Sequence, residues 1–383
     1  MPQHKGERNG KYVGMIMIDL RKAFDTVDFD ILLSKLGTMG VGSVDWFRSY
    51  LTGRKQCVNV NGTDSDFLEI TCGVPQGSIL GPTLFLCYIN DMCSSLDCRL
   101  SLYADDSTLM ASGKNVNELS LFLTDQLESC SRWLVDNRLS LHVDKCEAML
   151  FGSCSRMKVE NDFKVQCFGK EIRRVSGVKY LGIYLDEKLS GNEQAMAVLK
   201  KISSRLAFLY RKAPFLNQRC RRLLCMSLIQ PFFDYCCSSW YSSLSCQLKE
   251  SLDVMQRKMI RFVYGLHSRS TINSSHLANI GWLSVRDRVR FFKLLHAYRI
   301  HHGLAPKYIS GSFVTFSSFH SHNTRGSSTN FLITKEDSSR SIMLNSFSYT
   351  VKKEWNSLPI GLKSITSYAT FKTRLREFLF KTY

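Results

Sequence analysis

The chain has 383 residues, 44% of them hydrophobic and 11% aromatic, with 51 Lys and Arg against 33 Asp and Glu for a formal net charge of +18. Apolar content of that order excludes a disordered chain, and the length suggests two or three domains. No apolar run approaches the roughly 18 residues that cross a bilayer, and the opening lacks a signal-peptide core, so an intracellular protein is expected, in nucleus or cytoplasm, not secreted and without a membrane partner.

The charge is uneven. Residues 1–190 carry a net −2 and residues 191–383 a net +20. Positive charge segregated into one half points to a polyanionic partner. The 14 cysteines are scattered without a Cys-x-x-Cys pair. Cys220, Cys225, Cys236, Cys237 and Cys246, with His267 and His276 downstream, do not fall at zinc-ligand spacing, and free thiols are the expected state.

Val13–Ile18 is a continuous apolar run that reads as a strand buried on both faces, ending at Asp19. Asp28 can cap a helix through Ile31, Leu32 and Leu36 that stops near Gly37 or Gly40. Residues 56–71 alternate around Asn61-Gly62, a hairpin signal. The Gly- and Pro-rich residues 73–82 begin as a loop, and Leu84–Ile89 reads as a helix. Residues 99–110 read as strand, turn, strand with Asp105-Asp106 at the turn. A helix from about Asn117 to Val135 follows, then strands over 138–151 and 178–185.

Beyond residue 190 the pattern is helical. Leu248, Leu252, Met255, Met259 and Phe262 are spaced as one helix face, with Lys249, Arg257, Lys258 and Arg261 in the same segment. Val285, Val289 and Phe292 repeat this among Arg286, Arg288, Arg290 and Lys293. The apolar stripes read as core; the basic residues between them are candidates for binding nucleic acid. Residues 310–345, rich in Ser, Thr and Asn, read as a connector.

The carboxylates carry the chemistry. Adjacent Asp105 and Asp106 disfavour joint ionisation, a cost that a divalent cation relieves. Oxygen-only ligands suit Mg²⁺, which keeps waters and substrate phosphates in its shell, and two such ions can activate an attacking hydroxyl and stabilise a leaving oxygen. Asp at a strand end and Asp-Asp at a turn are each ordinary when taken singly.

Three blocks in order resemble a known family: Asp-Leu-Arg-Lys-Ala-Phe-Asp at 19–25, Gly-Val-Pro-Gln-Gly-Ser-Ile-Leu-Gly-Pro at 73–82, and Tyr-Ala-Asp-Asp at 103–106. Together they look like a reverse transcriptase of the non-LTR, LINE-like branch. Asn137–Lys145 resembles its next palm block, Gly177–Asp186 its primer-grip region, and Trp355–Pro359 the tail of such reading frames. The resemblance implies an α+β fold: a right-hand polymerase palm with an antiparallel sheet (residues 1–190), a helical thumb (191–305) and a basic C-terminal region (306–383). It implies Asp19, Asp105 and Asp106 as a catalytic, metal-binding triad holding two Mg²⁺ ions, with Mn²⁺ as a substitute. By the same resemblance Phe24 excludes a 2′-hydroxyl, Gln76 and Gly77 contact the incoming nucleotide, and Lys145 assists the leaving pyrophosphate. Expected partners are an RNA template, a DNA primer and deoxynucleoside triphosphates. In the family a fingers segment precedes the first strand. Only 18 residues precede Asp19 here, so most of the fingers is expected to be missing. The alternative function is a catalytically silent nucleic-acid-binding relic.

Overall fold

The computed structural model describes residues 12–152, 162–311, 313 and 344–381. The chain divides into two compact units between Leu181 and Gly182.

In the first unit, β1 (Tyr12–Ile18) is the middle strand of a five-stranded sheet. It is apolar on both faces, and Ile16 is fully buried. α1 (Phe29–Thr38) begins where expected, with the Asp28 carboxylate accepting the Ile31 N–H at 3.0 Å. α2 (Val44–Leu51) follows. The hairpin is built from four two-residue strands, β2 (Lys55–Gln56), β3 (Asn59–Val60), β4 (Thr63–Asp64) and β5 (Leu68–Glu69). It turns at Asn61 (φ 52°) and Gly62 (φ 85°), the two positive values that the tightest two-residue hairpin turn requires. α3 spans Leu80–Ile89, starting four residues before the apolar run suggested.

β6 (Arg99–Tyr103) and β7 (Asp106–Gly113) form the second hairpin, and β7 pairs antiparallel with β1. α4 (Val116–Asp136) crosses β1 and β7, burying Leu119, Leu123, Leu127, Cys130 and Leu134 along one face. Asn115 caps it by accepting the N–H groups of Asn117 and Glu118. β8 (Glu147–Phe151) lies on the other side of β1, antiparallel to it. A small hairpin of β9 (Gln166–Cys167) and β10 (Lys170–Glu171) precedes β11 (Arg173–Arg174), which pairs parallel to β8 and so departs from the antiparallel plan at one edge. The sheet order is β11-β8-β1-β7-β6.

The strand expected over 138–151 is shorter. Residues 143–145 form a single 3₁₀ turn, and Leu141 makes only an isolated bridge to Leu20. Backbone groups of residues 140–142 are instead committed to the segment just past β1. The Arg21 N–H donates to Ser140 O at 2.9 Å and the His142 N–H to Asp19 O at 2.8 Å.

The second unit is helical. Its longer helices are Asn192–Lys212, Gln218–Leu228, Cys246–Tyr264, Val285–His301, Phe347–Asn356 and Tyr368–Lys381. In Cys246–Tyr264 the expected face holds: Leu252, Met259 and Phe262 are buried, with Leu248 and Met255 half-buried beside them. One core gathers Ile202, Leu252, Met259, Val263 and Trp282; another gathers Leu294, Tyr298, Trp355, Phe371 and Leu375. Most of the expected 310–345 connector lies outside the described residues. No helix among the described residues is long and apolar enough to cross a membrane.

Candidate active site

The three sequence blocks converge at one end of the sheet. β1 and β7 run antiparallel with Ile18 opposite Ser107, so the next position on each strand, Asp19 and Asp106, meets at the same sheet end. Asp105 sits in the two-residue turn between Tyr103 and Asp106, where Ala104 takes a left-handed φ of 52°. Desolvation pushes the Asp106 carboxyl above its ordinary range, and the charges of Asp105 and then Asp19 add to it. Asp106 therefore senses both of the others, although 87 residues separate it from Asp19 in sequence.

The loop at 73–82 is tied directly to the first block. The Gly73 N–H donates to Val27 O at 2.7 Å and the Val74 N–H to Phe24 O at 2.8 Å. The Gln76 Nε2 donates to Asp25 Oδ1 at 2.7 Å. Asp25 received no role from the sequence, although it closes the first block; its function here is to hold Gln76. Close approach in this loop is required at Gly73, where a Cβ would lie 2.8 Å from Asp25 O and the φ is +91°. Gly77, the position expected to admit a close backbone, has open space around it and is constrained only by its φ of +79°.

Phe24 lies in a short 3₁₀ turn, Ala23–Asp25, half-buried, with its ring stacked on Phe85 of α3 at a centroid distance of 4.4 Å. That contact packs the ring against the core. Lys145, in the 3₁₀ turn that replaced the expected strand, places Nζ 3.7 Å from Asp19 Oδ2. Arg138 ion-pairs with Asp28, tying the fourth block to the cap of α1.

Oxygen-only donors crowded enough to raise Asp106 fit a hard divalent cation, whose charge would relieve that crowding. They do not make a closed cage. Among the described residues no three His, Cys, Asp or Glu side chains are gathered tightly enough to hold a metal by themselves. A cation bound here would complete its shell with water and substrate oxygens.

The basic residues singled out in the second unit are not alike. Arg257 ion-pairs with Glu250 at 2.5 Å, and Arg261 Nε donates to Ser270 O at 2.9 Å. Lys258 is exposed on the same helix, Cys246–Tyr264. The helix thus spends two of the three cations on its own structure.

Residues 2–185 match the family model described as reverse transcriptase (RNA-dependent DNA polymerase). The chain is 26% identical over 273 residues to the RNA-directed DNA polymerase from mobile element jockey of Drosophila melanogaster, covering 67% of this chain and 29% of that protein. It is also 26% identical to the probable RNA-directed DNA polymerase from transposon BS of the same organism, over 66% of this chain and 29% of the relative. The chain thus spans under a third of the length of these curated relatives. Among solved structures it is similar to telomerase from Candida tropicalis in complex with a fragment of telomeric RNA, at 11% identity and a TM-score of 0.38, covering 74% of this chain and 45% of that one.

Proposed function

We propose, from the match of residues 2–185 to the reverse transcriptase family model, that the chain is the RNA-directed DNA polymerase module of a LINE-like retroelement, intracellular and acting on an RNA template, a DNA primer and deoxynucleoside triphosphates. The observation that carries the reading is the meeting of Asp19 with Asp105 and Asp106 at one sheet end, with Asp106 raised by burial and by its two neighbours.

In this reading Asp19, Asp105 and Asp106 would hold two Mg²⁺ or Mn²⁺ ions, which lower the pKa of the primer 3′-hydroxyl and neutralise charge on the transferred phosphate. Every other role belongs to the chain's own groups. The carboxylates would fix those ions at the end of the sheet, and in phosphoryl transfer positioning and electrostatics supply most of the catalysis. Phe24, stacked on Phe85, would be the side chain against which a 2′-hydroxyl collides. Gln76, its Nε2 donating to Asp25, would contact the incoming nucleotide, and the open space at Gly77 leaves room for it. Lys145, 3.7 Å from Asp19, would donate a proton to the leaving pyrophosphate. Lys258, exposed while Arg257 and Arg261 are engaged within the protein, would contact phosphates.

The test is extension of a labelled DNA primer on an RNA template with Mg²⁺ and all four deoxynucleotides. Added nucleotides are expected, with loss of at least about 1000-fold in rate for Asp105→Ala. Phe24→Ala should incorporate ribonucleotides that the unaltered chain rejects. Tight template–primer binding with no extension by the unaltered chain would replace this reading with that of a silent binding relic.

A further inference from the structure

We propose that the exposed face of α2 is a stacking platform for the unpaired bases of a single-stranded nucleic acid. The proposal rests on the polymerase reading only in supposing that the chain handles nucleic acid; the site itself is built from residues to which that reading gives no role.

Trp46, Tyr50 and Arg54 follow one another at intervals of four. The Trp46 and Tyr50 rings are parallel within 2° at a centroid distance of 5.7 Å. The Arg54 guanidinium continues the ladder 5.5 Å from the Tyr50 ring, and its Nη1 donates to Tyr50 O at 3.4 Å. The rest of the helix does the packing: Leu51 is fully buried, and Val44, Phe47 and the half-buried Tyr50 lean on the core. Trp46 is therefore not needed to fill the interior and stays 56% exposed. Trp240, Trp282 and Trp355 are all buried, and Trp133 packs half-buried against the core.

An ordered, flat, exposed indole backed by a second parallel ring and a guanidinium suits one kind of ligand well. Unpaired bases stack on such surfaces whatever their sequence, because every base has a π-face, and arginine adds a cation–π contribution and a phosphate contact. The charges agree. Arg54 and Lys55 are exposed at the C-terminal end of the ladder. At the other end Arg48 is paired with Asp30 at 3.4 Å and Asp45 lies in the first turn. A strand laid along the ladder would then stack its bases on Trp46 and bring its phosphates to Arg54 and Lys55.

The experiment uses the full chain and two labelled, unstructured oligomers of about 12 nucleotides, one RNA and one DNA, at low salt. Anisotropy reports binding and tryptophan emission reports stacking. The expected result is that at least one oligomer quenches the emission of the unaltered chain, and that a duplex of equal length, its base faces hidden, does not. Trp46→Ala should abolish the quench and weaken binding about tenfold, while Trp46→Phe retains most of the affinity. Which oligomer quenches identifies the strand. Trp46→Leu, which keeps an apolar side chain but cannot stack, guards against a folding defect in the alanine variant. Affinity unchanged in Trp46→Leu, with the oligomers still bound, overturns the platform and leaves the nucleic-acid reading standing. No binding of either oligomer overturns that reading and the platform with it.

Discussion

Gly73 is the residue on which the loop geometry turns. Its positive φ and the Asp25 backbone 2.8–3.0 Å from a would-be Cβ act together. Gly73→Ala should therefore destabilise the first unit by about 2–4 kcal/mol, as strain and clash add. Gly77→Ala, with strain but no clash, should cost about 1 kcal/mol. Urea unfolding of the two variants side by side checks the difference, and equal losses would show that the Asp25 contact yields easily. Asp25→Asn keeps a carbonyl oxygen for the Gln76 amide but loses the charge, so nucleotide affinity in the extension assay should fall only a few-fold, whereas Asp25→Ala should release Gln76 altogether.

Among the elements, the start of helix Asn192–Lys212 depends on one buried carboxylate. Asp186 accepts from the N–H groups of Lys188, Ser190 and Gly191 and from the Ser190 hydroxyl, at 2.9–3.2 Å. It is only 9% exposed. Asp186→Ala should cost about 2–4 kcal/mol in thermal or denaturant unfolding, because one buried and three part-buried donors lose their acceptor at once. Asp186→Asn, which leaves one oxygen, should recover part of that loss. The cap of α1 is simpler. Asp28 serves one N–H and one ion pair, and Asp28→Ala should cost about 1–2 kcal/mol.

Across the whole molecule two ionic effects should be measurable. The net +20 beyond residue 190 predicts nucleic-acid binding that weakens steeply with salt, through counterion release. Because Arg257 and Arg261 are engaged within the protein, Lys258→Ala should reduce the salt slope by about one while Arg261→Ala mainly lowers stability. The second effect comes from histidines. Burial lowers the pKa of His296, His301 and His302, with Arg299 adding to the first and His302 to the second. All three lie within residues 296–302. Below the usual histidine pKa of about 6.5 the unfolded chain takes up protons that the folded chain refuses, so stability falls as pH drops through that range and is retained above it. The melting temperature should be lower at pH 5.5 than at pH 7.5. Replacing His301 and His302 by glutamine should flatten the difference, and an unchanged slope would assign it to other groups.

Much of the fold was legible because local rules and tertiary needs coincide. The apolar run of β1, the Asp28 cap, the Asn61-Gly62 turn and the 246–264 stripe each state their own geometry, and the structure keeps them. The three ordered blocks likewise named the carboxylates that the sheet brings together. What the sequence did not contain was the partner of each group. Residues 138–146 look like strand by pattern, yet the backbone groups of residues 140–142 were claimed by the segment after β1. Arg257 and Arg261 look like free cations, yet Glu250 and the Ser270 carbonyl take them. Asp25 closes a distinctive block yet shows its partner only when a loop 51 residues away folds onto it. Propensity and periodicity are properties of neighbours in sequence; hydrogen-bond and charge partners are set by packing across the chain, and only the tertiary structure decides them.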